Sequence, residues 1–171
     1  MWTSGFLSGT TPFSTPASTV WARTSDPTVA FDAKHGVWAD LVSRPVPQGP
    51  ARSMCWSAAQ PTAGSREVTR SRSTPTVTST TRTGQSATNT PSNPFYGNGY
   101  TEFDDNTLGH LILMSTSSDG GLIWGPASPT ANNAHGIGGQ PLVQPTGRVI
   151  VPINGFAGRN FLSGPDERAG E

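Results

Sequence analysis

The sequence predicts an all-β protein, on three observations. First, the 171 residues include 20 glycines and 16 prolines, only 13% are charged and 33% are hydrophobic, a composition suited to many turns and short extended runs. Second, the β-branched and aromatic runs are short and bounded by Gly, Pro, Asn or Asp, as strands are. Third, those runs come in pairs around tight-turn signals, and no window repeats its apolar residues at helical spacing. A sandwich, a barrel or a propeller fits this pattern.

In chain order, the first hairpin extends through Thr28–Phe31, turns through Asp32–Gly36, and extends again through Val37, Trp38, Leu41 and Val42. The second begins with Phe95, Tyr96, Tyr100 and Phe103 and breaks at Asp104, Asp105 and Asn106. It resumes from His110 to Ser117, then turns at Ser118–Gly121 into Leu122, Ile123 and Trp124. The third pairs Pro141–Val143 with Val149–Ile153 around a Pro145-Thr146-Gly147 turn.

Eleven basic and eleven acidic residues cancel, so no global field favours nucleic acid or an anionic surface as partner. The single cysteine, Cys55, excludes an intramolecular disulfide and a cysteine-based zinc site, and the residues imply no cofactor. No apolar run is long enough to span a membrane. The first twenty residues lack the basic and continuous apolar regions of an export signal, which leaves the compartment open. Residues 44–88 stand apart as a Ser/Thr/Arg-rich stretch with few aliphatic residues, a composition that reads as disorder.

Ser117, Asp119, Gly121 and Trp124 match S-x-D-x-G-x-x-W in STSSDGGLIWGP. The pattern has a local physical sense. The carboxylate accepts turn N–H groups, the glycine takes a positive φ, and the tryptophan packs back across the hairpin. It stabilises a turn and performs no chemistry.

This motif is the Asp box. Together with SDPTVAFDAKHGVW (25–38), NPFYGNGYTEFDDN (93–106) and AHGIGGQPLVQPTGRVIVPINGF (134–156), it makes the chain resemble sialidase-family proteins with Asp-box repeats. The resemblance implies a six-bladed β-propeller of four-stranded antiparallel blades, with Asp boxes joining the third and fourth strands. At about 45 residues per blade, the chain holds material for about three blades of such a ring. Against this pattern, the stretch 44–88 is read in two ways, as a natural disordered insertion or as partly out of frame. Shifted by one nucleotide, permissible codons turn SMCWSAAQPTAGS into VHVLVSRTTDGGLT, itself most of an Asp box.

The resemblance also implies a chemistry. Relatives remove terminal sialic acids with a tyrosine nucleophile assisted by a glutamate, an aspartate acid/base and three arginines that clamp the substrate carboxylate. The expected positions here are Arg23 for a clamp arginine, Asp26 for the acid/base and Glu102 for a catalytic carboxylate. Tyr100, His135 and Gln140 are expected to contact the glycan. No full catalytic set is visible, and Gly99 stands where relatives carry a cysteine. The expected role is therefore a sialidase-like glycoside hydrolase fragment acting on sialoglycoconjugates or related glycans but inactive as written, or else a noncatalytic propeller that binds glycans or proteins. His35 and Arg148 read as turn and strand-end residues.

Overall fold

The computed structural model describes residues 25–44, 53–61, 69–70, 76–77, 83–155 and 160–163. The described residues form antiparallel sheets with one 3₁₀ turn, at Asn106–Leu108, and no α-helix. None of them belongs to a helix long and apolar enough to cross a membrane.

The first sheet starts with β1 (Ser25–Asp32) and β2 (Val37–Arg44), paired from Thr28↔Leu41 to Asp32↔Val37. The register slips between Ser25 and Thr28, where Pro27 has no N–H for the ladder. The β3 strand (Ser53–Pro61) pairs along β2, and its far edge is shared by β4 (Thr69–Arg70) and β5 (Thr76–Val77). These three strands and β6 of the next sheet, with Arg44 at the end of β2 and Thr88 after β6, are the described parts of the anomalous 44–88 stretch.

The second sheet is a four-stranded meander in chain order: β6 (Thr83–Ala87), β7 (Gly99–Asp105), β8 (Leu111–Ser117) and β9 (Ser128–Pro129). Asp104 and Asp105, read from the sequence as a break, continue β7 opposite Ile112 and Leu111. The chain turns only at Asn106, because the Asp105 side chain caps the 3₁₀ turn through Thr107 N. The third sheet orders β10 (Leu142–Val143), β11 (Val149–Asn154) and β12 (Asn160–Ser163) around the expected 145–147 turn, with Gly147 at φ +89°.

Strand alternation sends the two faces of the second sheet in different directions. One face carries Tyr100 and Ile112 into a core with Ala134, Val149, Val151 and Ile153, and so packs on the third sheet. The other face carries Gln85 towards Ala30, Asp32 and Ala39 of the first sheet across a water-sized gap. Burial on both faces explains why all seven β7 residues are at least half-buried, charged ones included.

The loop between β6 and β7 ties both neighbours to the middle sheet. Asn89 accepts from Ala33 N and donates to the Phe31 carbonyl, each at 2.8 Å, which fixes the β1–β2 turn. Asn93 Nδ2 donates to the Pro145 carbonyl at 2.9 Å, which fixes the β10–β11 turn. Within the first turn, Lys34 N and His35 N donate to Asp32 Oδ1, while His35 Nδ1 lies 2.6 Å from Asp32 Oδ2. His35 is thus engaged in closing its own hairpin.

Candidate functional site

The β8 strand separates two chemically different ends of the molecule. Its seven residues hold them roughly 20 Å apart at about 3.3 Å per residue. The Asp box follows its C-terminal end at Ser117; the 3₁₀ turn and His110 precede its N-terminal end at Leu111.

At the first end, Ser117 Oγ donates to Asp119 Oδ1 at 2.8 Å and accepts from Gly121 N at 3.0 Å. Asp119 Oδ1 also accepts from Leu122 N and Ile123 N at 3.0 Å each. Gly120 and Gly121 sit at φ +75° and +88°, where a side chain is strained. Trp124 is buried and lies over Gly99, where an added Cβ would stand 3.6 Å from its ring, an ordinary contact. Partial burial works against ionisation of Asp119, but the Ile123 amide, the Ser117 hydroxyl and the Leu122 amide together hold its carboxyl below the ordinary value. The Ser117 hydroxyl, the Asp119 carboxylate and the amides of Gly121, Leu122 and Ile123 are occupied with one another in the turn.

At the opposite end, β7 and β8 bring Asp104 and His110 onto one face. Asp104 pairs with Ile112, and His110 precedes Ile112 by two positions. His110 Nδ1 lies 2.8 Å from Asp104 Oδ2; the carboxylate is buried and the imidazole about one-third exposed. His110 occupies the left-handed region at φ +61°, directly after the 3₁₀ turn and Gly109 at φ +67°. A non-glycine residue held there costs about 1–2 kcal/mol, a strain found preferentially at functional positions. His135 joins the same end. Its Nδ1 donates to the Gly109 carbonyl at 2.8 Å, and Gly136 N donates to the His110 carbonyl at 3.0 Å.

Glu102 lies deeper on that face. It is only 1% exposed, and neither carboxyl oxygen has a hydrogen-bond partner among the described residues. Its carboxyl group lies against Gly139, where an added Cβ would collide with it. Burial, and secondarily the negative charge of Asp104, push its pKa up from 4.5 to about 8. Glu102 is therefore a neutral acid at pH 7, able to donate a proton but without solvent contact.

The residues singled out from the sequence fall in several places. His135 lies at the end away from the Asp box, bridged to Leu111, whereas Glu102 sits midway along the β7–β8 ladder opposite Met114, and Gln140 Nε2 donates to the Gln85 carbonyl at 2.8 Å and ties the 134–141 segment to β6. Tyr100 shares the face of Glu102, but its ring is in the core and its hydroxyl accepts from Thr88 Oγ1 at 3.4 Å. Asp26 belongs to β1, and Arg23 lies outside the described residues. Sequence reasoning passed over His110. The signal was available in Asp104 and His110 flanking a short Asn-Thr-Leu-Gly turn, a spacing that a hairpin folds onto one face. Among the described residues, no three His, Cys, Asp or Glu side chains are placed to hold a metal ion.

No protein-family model and no curated protein matches the chain. Its fold is similar to the crystal structure of a protein of unknown function from Dyadobacter fermentans, with a TM-score of 0.50 and 18% sequence identity. The match covers 72% of this chain and 32% of that one, so the chain spans about a third of the length of the larger protein.

Proposed function

We propose that this chain is part of a sialidase-like Asp-box β-propeller, and that the end opposite the Asp box meets a sialylated or related glycan without hydrolysing it. The observation that carries this reading is the position of the Asp box. It joins the third and fourth strands of a four-stranded meander whose two faces pack on neighbouring sheets. The first strands of the first and third sheets, β1 and β10, both approach β6, an arrangement in keeping with inner strands around an axis.

Binding is favoured over catalysis by Glu102. A catalytic carboxylate must touch the substrate, and this one is enclosed between β7 and Gly139. The exposed His135 and the partly exposed His110 offer hydrogen bonds of the kind that orient a sugar, on a rim whose backbone is fixed by the bonds between residues 109–110 and 135–136.

An NMR amide titration with 3′-sialyllactose, with lactose as control, tests this reading. The expected result is a saturable set of shifts confined to residues 104–110 and 134–140 that lactose does not reproduce. Shifts at the Asp box, or none at all, would count against it.

A further inference from the structure

Glu102 is a carboxyl group built into a sheet interface without a described partner, a placement that protein interiors tolerate only when the group is neutral or when water can reach it. Its surroundings among the described residues offer no compensating cation. On its own strand face stand Tyr100 and Asp104, with His110 beyond Asp104. Across the ladders its partners are Gly84 on β6 and Met114 on β8. The 134–141 segment brings Gly139 against the carboxyl and lays Gln140 and Pro141 beside Gly84, while the third sheet contributes Val143, Val149 and Val151 to the adjoining core. The one described charge that acts directly on Glu102 is Asp104, of the same sign as its ionised form.

The enclosure is closed over the carboxyl by two residues without side chains, Gly138 and Gly139. Gly138, at φ +74°, and Gly139 are flanked by two fastenings. The first is the paired Ile137–Asn154 backbone bonds at 3.0 and 2.9 Å, and the second is the Gln140 side-chain bond to Gln85.

We propose that Glu102 and the Gly138–Gly139 stretch form a proton-operated latch: the neutral carboxyl lets the stretch close on β6 and β7, and loss of its proton drives the stretch away so that water reaches the carboxylate. The device works independently of any glycan. The closed state holds the proton up to about pH 8, because burial first and Asp104 second raise the acid. The open state releases it in the ordinary carboxylate range. Opening therefore becomes about ten-fold more favourable per pH unit between those limits and levels off above about pH 8.

Amide hydrogen exchange, corrected for its intrinsic base catalysis, reads the latch while a ¹³C-carboxyl NMR titration follows Glu102 in the same protein. In the wild type, Ile137 and Asn154 should lose protection by about ten-fold per pH unit from about 5.5 to 7.5, whereas the β7–β8 ladder keeps its protection. Glu102→Gln should hold the two amides protected throughout, and Glu102→Met provides a second neutral side chain should the first variant fail to fold. A Glu102 midpoint near 4.5, a wild type whose Ile137 and Asn154 do not respond, a ladder that loses protection in parallel, or a neutral variant that responds like the wild type would each overturn the proposal. If neither variant folds, the wild-type titration and exchange profile decide it alone.

Discussion

Gly84→Ala is expected to destabilise the protein by about 2–4 kcal/mol, with a clear fall in the urea unfolding midpoint. The cause is a close approach of backbone to backbone. A Cβ on Gly84 would stand 2.5 Å from the Gly139 carbonyl oxygen, 2.6 Å from the Pro141 ring and 3.0 Å from the Gln140 Cα. None of these is the movable tip of a long side chain, so relief requires the 139–141 backbone to retreat from β6. That retreat would also strain the Gln140 bond to Gln85 and uncover Glu102. Gly99→Ala is the matched control on the neighbouring strand: its Cβ would meet Trp124 at 3.6 Å, an ordinary contact, and should change stability by less than about 1 kcal/mol. Equal effects at the two sites would show that the 139–141 segment does not sit against β6 as described.

Stability should decline as the solution is made alkaline from about pH 4.5 to about pH 8, and Glu102→Gln should remove the decline. The folded state holds the Glu102 proton up to about 8, whereas the unfolded chain releases it near 4.5. Between these values the folded state binds more protons, so its advantage is complete below 4.5 and falls with rising pH. The slope is about 1.4 kcal/mol per pH unit while the carboxyl remains fully enclosed, with the loss levelling off above 8. Opening of the 138–139 stretch would let part of the charge be solvated and make the measured slope shallower. Asp119 acts in another window and with the opposite sign. Its pKa is lowered, so its contribution is present above 3.8 and lost as the pH falls through its folded value. Urea unfolding of wild type and Glu102→Gln at stepped pH separates the two. A wild-type stability that is flat from 5 to 8 would refute the buried neutral carboxyl.

The hairpins and the Asp box were legible in the sequence because their determinants are local. Asp32–Gly36, Ser117–Trp124 and Pro145–Gly147 each contain the residues that their turn geometry requires. What was not legible depended on which sheet face met which neighbour. In GYTEFDD, Glu102 is expected as a catalytic carboxylate and Asp104 and Asp105 as a break between strands, yet all three are buried because the second sheet is covered on both sides. Alternation in a sequence marks two faces but does not say that both are enclosed. The same limit hid the role of Gly84 and Gly139, whose lack of a side chain matters only because distant segments meet there. His110 was hidden for a different reason: histidine enters the left-handed region more readily than most non-glycine residues, but nothing local in the sequence marks that this one follows a 3₁₀ turn there. The stretch 128–129 is too short to show a period, and ladder pairing alone marks it as a strand.

The central functional claim is that Glu102 is a packing and proton-holding group in a chain that meets a glycan but does not cleave it. The most direct measurement is release of 4-methylumbelliferone from its α-sialoside by the purified chain from pH 4 to 8, with Glu102→Gln measured beside it. The predicted result is no release above the uncatalysed rate for either protein at any pH. Turnover by the wild type that disappears in Glu102→Gln would contradict the claim and place the carboxyl in a catalytic site.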